Sequence, residues 1–255
     1  MTSFNVPAGS EMFMCQDFAN PFGADAEISQ FDAHMSLGSH HMLFLYQPNA
    51  TNTAVTPCNG LTFGQMAFGS QTPDVSQPYP AGVAALVPQA QGFRVVSHYL
   101  NATTHDLTAN VEIVMHKAAP GTITQHAGVY FLDNISGIHV APGTEQMVTA
   151  QYTVPQDLYL LSGVGHMHQR SKSLVATLDG QQIYTSNSWD SSPQTNFAPA
   201  IMVKAGSIIQ WTCDINNTTA NELTFGESAQ TNEMCIFDGQ YYPVVGSTPN
   251  LEQQK

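Results

Sequence analysis

Two short stretches carry side chains that could do chemistry on a metal ion. "LGSHHMLFLY", residues 37–46, sets His40 beside His41, and "GVGHMHQR" places His166 and His168 one residue apart. Neighbouring side chains on a β-strand point to opposite faces. His166 and His168 therefore share a face and can chelate one ion, whereas His40 and His41 can serve one site only where the chain is bent. With ten histidines in 255 residues, either motif arises about 0.4 times by chance, so neither decides anything alone. His98 in "FRVVSHYL" shares a strand face with Val96 and Leu100, where an imidazole is more often a satisfied core histidine than a ligand. Met234 in "TNEMCIFD" is by the same standard core filler. If these residues do bind a metal, its identity follows from the donors. Imidazole suits zinc, copper, iron and nickel, whereas thioether sulfur selects copper, Cu(I) above all. A His-His-Met set points to copper that visits Cu(I), hence to redox or oxygen chemistry, and lacks the thiolate of a blue-copper site.

The elements that must position these residues read as strands. "HMLFLY", "NVEIVMH", "AGVYFL", "DLYLLSGV", "SLVATL" and "SIIQWTC" are short, rich in β-branched and aromatic residues, and bounded by turn formers. In "DLYLLSGVGHMHQR" a regular strand puts Leu160, Ser162, Val164, His166 and His168 on one face. "LDGQQ" reads as a hairpin turn between 174–178 and 181–186. No stretch holds a helical period over a dozen residues, so the expectation is all-β: antiparallel β-sandwiches. "AAPGT" offers a boundary, giving domains of 1–119 and 120–255. Residues 68–92, rich in Pro and Gly, read as a connection wrapping a surface, and no clear internal repeat stands out.

Composition narrows the function classes. Net charge is −13 with only six Lys plus Arg, which argues against nucleic acid and anionic membrane surfaces as partners. No apolar run approaches the ~18 residues of a membrane span. The start, "MTSFNVPAGSEMFMC", has neither the basic nor the apolar region of a signal peptide, so such a peptide was removed or never existed. Cys15, Cys58, Cys213 and Cys235 form no CxxC; their even count suits disulfides and a secreted or periplasmic setting, with four buried thiols as the alternative. Cys235 can reach the strand of Cys213 while Met234 points the other way. Sequons begin at Asn49, Asn101, Asn134, Asn216 and Asn217, many of them expected by accident in so Asn- and Thr-rich a chain.

"GSHHML", "SHYLNAT", "GHMHQRSKS" and "TNEMCIF", in this order and with "FGES" before the last, resemble the ascorbate-dependent type II copper monooxygenases. That is the family of peptidylglycine α-hydroxylating monooxygenase and dopamine β-monooxygenase, and the likeness runs from about Met12 to Tyr242. The resemblance implies two jelly-roll-like sandwich domains side by side, with a cleft between them and one copper in each. His40, His41 and His98 match the family's three-histidine site; His166, His168 and Met234 match its His-His-Met site, where O2 and substrate react. It also implies bridges Cys15–Cys58 and Cys213–Cys235, and a bend at Gly38–His41 so that both paired histidines ligate. The implied function is hydroxylation of an sp3 C–H bond of a small organic substrate, with O2, two copper ions and ascorbate as reductant. The alternative is a secreted copper-binding protein of the same fold without that activity. His34, His105, His116, His126 and His139 match no ligand motif and are expected to be structural, with His105 and His116 the nearest to stray metal contacts.

The chain departs from the peptide-hydroxylating relatives around the substrate. Their Arg two residues before the His-x-His is Val164 here, and their Asn and Tyr after the methionine are Ile236 and Asp238. Val96 replaces a polar residue two before the third histidine. A C-terminal carboxylate would meet no partner and a nearby negative charge, which argues against peptide amidation. Asp238 could pair an amine, although a turn residue before Gly239 is the preferred reading.

Overall fold

Strands and loops account for all residues that the computed structural model describes, namely 1–59, 64–244 and 250–252; no α-helix occurs among them. β-branched and aromatic residues alternate with polar ones in short runs, a pattern that fits half-buried pleated surfaces. The contacts divide the chain into two units, one comprising Met1–Val129 and one beginning at Tyr130.

The first unit is a sandwich. One sheet runs in the order Thr56–Pro57, Glu11–Phe18, Gln91–Leu100, Ser39–Pro48, Met66–Ser70, all antiparallel. The facing layer pairs Ala26–Met35 with Val111–Lys117 on one side and with Asp74–Pro78 and Val83–Val87 on the other. Gln125–Ala127 adds one parallel pairing to Val83–Ala85. Residues 68–92 are therefore not a wrapping connection but supply the end of one strand, two complete further ones and the first two residues of Gln91–Leu100. Their Pro and Gly residues fall at strand ends and turns, where missing donors and free φ are tolerated. Phe31 of one layer stacks on Phe68 of the other at 5.2 Å, and Phe44 stacks on Phe93 at 4.2 Å. Cys15–Cys58 closes the edge of the first sheet.

The second unit repeats the scheme. Glu145–Thr153, Ile208–Asn216, Ser171–Leu178 and Gln181–Ser186 form one sheet; Cys235–Tyr242, Leu158–Met167 and Thr195–Val203 form the other. The hairpin between Leu178 and Gln181 turns on Asp179 and Gly180, both at positive φ, the left-handed pair that such a two-residue turn requires. Cys213–Cys235 joins the two sheets through the core, and the buried Trp211 donates its Nε1–H to the Cys235 carbonyl at 3.1 Å.

The two units share local construction in detail. "NATTHDL" (101–107) and "NTTANEL" (217–223) carry the same motif. Asn101 donates to the carbonyls of Val6 and His105, and its Oδ1 accepts from the Thr103 N–H and hydroxyl. Asn217 donates to Val140 and Asn221 and accepts from the Thr219 N–H and hydroxyl. Each asparagine N–H also bonds a residue of a matching turn, Ser10 in one unit and Thr144 in the other. Both asparagines belong to sequons, and both are consumed as internal staples. The likeness escapes a linear reading because the two stretches share only the Asn, one Thr, an acid and the final Leu.

Candidate metal centres

In the first unit the strand Ser39–Pro48 pairs with Gln91–Leu100, and the register slips between Ser39 and His41. One extra residue in a strand bends it and re-aims side chains. Gly38, at φ +90°, lets the chain enter this bulge; a Cβ there would also lie 2.8 Å from the Leu107 side chain. As a result His40 and His41 converge with His98 instead of diverging. Their ring centroids are 5.1, 5.0 and 4.9 Å apart, pair by pair, and all three residues are buried. One nitrogen from each ring lies within 4.8 Å of the others. A metal held at roughly 2.0–2.1 Å by imidazoles keeps any two nitrogens no more than about 4.2 Å apart, so the three stand within an ångström of ligating distance.

His98 is held from behind. Its Nε2 bonds Glu11 Oε1 at 2.9 Å, and its ring stacks on Phe13 at 3.9 Å. With Nε2 committed to the carboxylate, Nδ1 is the atom His98 would offer a metal. A carboxylate on the far nitrogen fixes the ring and raises its basicity. No local sequence pattern marks Glu11 or Phe13; their signal is the strand pairing that sets Phe13 directly across from His98.

In the second unit His166 and His168 lie on one face near the end of Leu158–Met167, with their Nε2 atoms 3.3 Å apart and their rings inclined at 79°. Two imidazoles on a tetrahedral ion at the usual bond length sit about 3.3–3.4 Å apart. The last paired residues of the neighbouring strand are Met167 with Cys235 and His166 with Ile236. Continuing that register sets Met234 across from His168, on the face opposite Cys235. Met167 and Cys235 point into the core, and Met234 is itself buried. The expected single face from Leu160 to His168 is not kept. The ladder is irregular between Leu160 and Val164, and both Leu160 and Met167 reach the core, so the phase flips before the histidines.

Glu233, fully buried, ties these pieces together. Its Oε1 accepts the N–H groups of His168 (2.5 Å) and Met234 (2.9 Å), and its Oε2 accepts that of Arg170 (3.1 Å). Burial pushes its carboxyl up to about 7, against the pull of these donors and of the Ser171 hydroxyl. One oxygen thus holds the backbone of a histidine and of the methionine together. The only trace of this in the sequence is an acid inside the run "NEMCIF".

The structure overturns the turn reading of Asp238, while the five other histidines make local contacts outside both histidine sets. Asp238 is not in a turn: it lies within the strand Cys235–Tyr242, directly across from Val164. His34, His116, His126 and His139 pair with Asp74, Asp32, Glu27 and Glu222. The His105 carbonyl closes the Asn101 staple.

No known family's sequence pattern matches the chain, and no curated protein matches it. Among solved structures it is similar to one titled "Crystal Structure of the STIV MCP", at 7% identity over 95% of this chain and 97% of that chain, with a TM-score of 0.40. It is also similar to the N-terminal CBM22-1-CBM22-2 tandem domain from Paenibacillus barcinonensis Xyn10C, at 10% identity over 96% of this chain and 83% of that one, TM-score 0.20. The ANX2 ectodomain from Arabidopsis thaliana matches at 7% identity over 99% of both chains, TM-score 0.23. Likenesses this remote say nothing about chemistry, so function rests on the sites themselves.

Proposed function

We propose that this protein is a copper-dependent monooxygenase of the ascorbate-dependent type II kind, hydroxylating an sp3 C–H bond of a small organic substrate. The observation that carries the reading is the pair of buried nitrogen sets, three histidines in the first unit and a His-x-His with a register-matched methionine in the second. The donors fit copper: neutral imidazoles bind both oxidation states, and the thioether favours Cu(I). Copper, reduced by ascorbate, would supply one-electron storage at His40, His41 and His98, and oxygen activation at His166, His168 and Met234.

The chain's own part is positioning. Glu11 and Phe13 fix the plane of His98, and Glu233 fixes the backbone on both sides of the second site. Cys213–Cys235 anchors the residue next to Met234, so the sulfur's strand cannot slide. The two disulfides fit an oxidising compartment, secreted or periplasmic. Val164, in place of a cation, argues against a carboxylate-bearing peptide as substrate.

The test is product analysis by mass spectrometry, with copper-loaded protein, ascorbate and a panel of amines, aromatics and acyl-glycines. A product heavier by one oxygen supports the reading. Two bound coppers with no product from any class would leave a copper-binding protein and overturn it.

A further inference from the structure

Sheet edges present unpaired main-chain groups, and proteins blunt them with proline, charge, bulges or shortness. Other edge strands of this chain follow that rule. Thr56–Pro57 is two residues long and ends in proline, Met66–Ser70 is short with a slipped register, and Gln181–Ser186 pairs through another slip. Val111–Lys117 carries Glu112, Lys117 and a bulge, and Thr195–Val203 holds Pro199 and an irregular ladder. Glu145–Thr153 departs from it. This strand runs nine residues in unbroken register against Ile208–Asn216, without proline. Its sole charge, Glu145 at the first position, is bound to Lys172. No described strand pairs with its other side. Just beyond its ends, Thr144 accepts the Asn217 N–H, while Val154 donates to the Ser207 carbonyl and accepts the Gly206 N–H. Antiparallel bonding alternates along a strand. Even-numbered residues therefore bond toward Ile208–Asn216, and Glu145, Met147, Thr149 and Thr153 turn their N–H and C=O groups outward. Met147 is 62% exposed, and Ala150 and Tyr152, although packed against the core, are only half-buried.

We propose that this edge is a homodimer interface, at which a second copy of the chain adds its own Glu145–Thr153 antiparallel, on a two-fold axis through Thr149. The strand is complementary to itself in that register. Glu145 meets Thr153, Gln146 meets Tyr152, Met147 meets Gln151, Val148 meets Ala150, and Thr149 meets Thr149. Every pair joins residues of the same parity, so core-facing side chains meet core-facing ones and two four-stranded sheets become one of eight. Ala150 and Tyr152 are then covered by Val148 and Gln146 of the second copy. Thr–Thr is a favourable cross-strand pair, and the Thr149 hydroxyl already shares a hydrogen bond with that of Thr212. Each chain carries a net charge of −13, yet the two Glu145 carboxylates lie at opposite ends of the joint, about 27 Å apart along the ladder. The interface is independent of the metal sites and of the proposed reaction.

Sedimentation velocity on the whole chain, from about 1 µM to about 1 mM, should show a reversible monomer–dimer equilibrium. Thr149→Lys changes an exposed side chain and sets two like charges face to face, which should weaken the dimer about tenfold or more. Cross-linking tests the register. The native cysteines are bridged, so an added thiol has no partner within its own chain. Thr149→Cys should cross-link to its own copy under mild oxidation, because the Cα atoms of a hydrogen-bonded pair stand about 5.5 Å apart. Met147→Cys should not, because its two copies lie about 14 Å apart along the ladder. A monomer at every concentration would leave the edge to some other extended chain, or to none, and overturn the proposal. So would a dimer that Thr149→Lys leaves intact, or cross-linking by Met147→Cys as efficient as by Thr149→Cys.

Discussion

Removing Glu11 isolates what holds the three-histidine set. Its carboxylate bonds the buried His98 ring at 2.9 Å and is itself largely shielded from water. A hydrogen bond to a charged group contributes about 1.5–3 kcal/mol, and loss of a carboxylate behind a ligating histidine weakens metal binding by about 10–100-fold. The two ranges agree, since a tenfold change is about 1.4 kcal/mol. Glu11→Ala should therefore weaken copper binding in the first unit by about 10–100-fold, with the fold kept by the stacked Phe13. Glu11→Gln retains an acceptor oxygen and should lose less. Glu145 follows the matching turn in the second unit but bonds the exposed Lys172 instead, so Glu145→Ala is the control and should change little. Competitive copper titration of metal-free protein measures all three. Unchanged affinity in Glu11→Ala, or a loss equal to that of Glu145→Ala, would refute the positioning role.

Met234→Ile should cost under ~1.5 kcal/mol in stability and leave the first-unit copper in place, while X-ray absorption of the reduced protein loses its sulfur scatterer; a spectrum without sulfur in the wild type would rule the ligand out. Met167→Ile is its counterpart and should disturb the core rather than the metal, because Met167 is fully buried among core side chains. Burial holds the Asp238 carboxyl up at about 8, so the fold prefers its protonated form. Stability relative to Asp238→Asn should therefore fall as pH rises from about 4 to about 8, by at most about 1.4 kcal/mol per pH unit, and then level off; urea midpoints that stay parallel across that range would contradict this. Asn217→Ala strands the Val140 and Asn221 carbonyls and should cost at least about 2 kcal/mol in urea unfolding, with Asn101→Ala similar in the first unit.

Much of this was legible in the chain. The all-β class follows from short alternating runs, and the "LDGQQ" hairpin from its turn chemistry. The face shared by His166 and His168 follows from a period of two. What escaped was non-local. The phase flip before His166 depends on a bulge set by strand partners, which no local pattern records. Asp238 next to Gly239 resembles a turn until the strand across from it is known. Glu11 and Glu233 act on residues 87 and 65 positions away, and only pairing brings them there. Residues 68–92 misled because proline and glycine mark strand ends as readily as loops.

Isotope tracing under 18O2 tests the central claim most directly. Copper-loaded protein with ascorbate and a turned-over substrate should give a product carrying one 18O atom, with one O2 consumed per product and two electrons drawn from ascorbate. Unlabelled product, or O2 consumed with peroxide in place of product, would contradict the assignment of this protein as a monooxygenase.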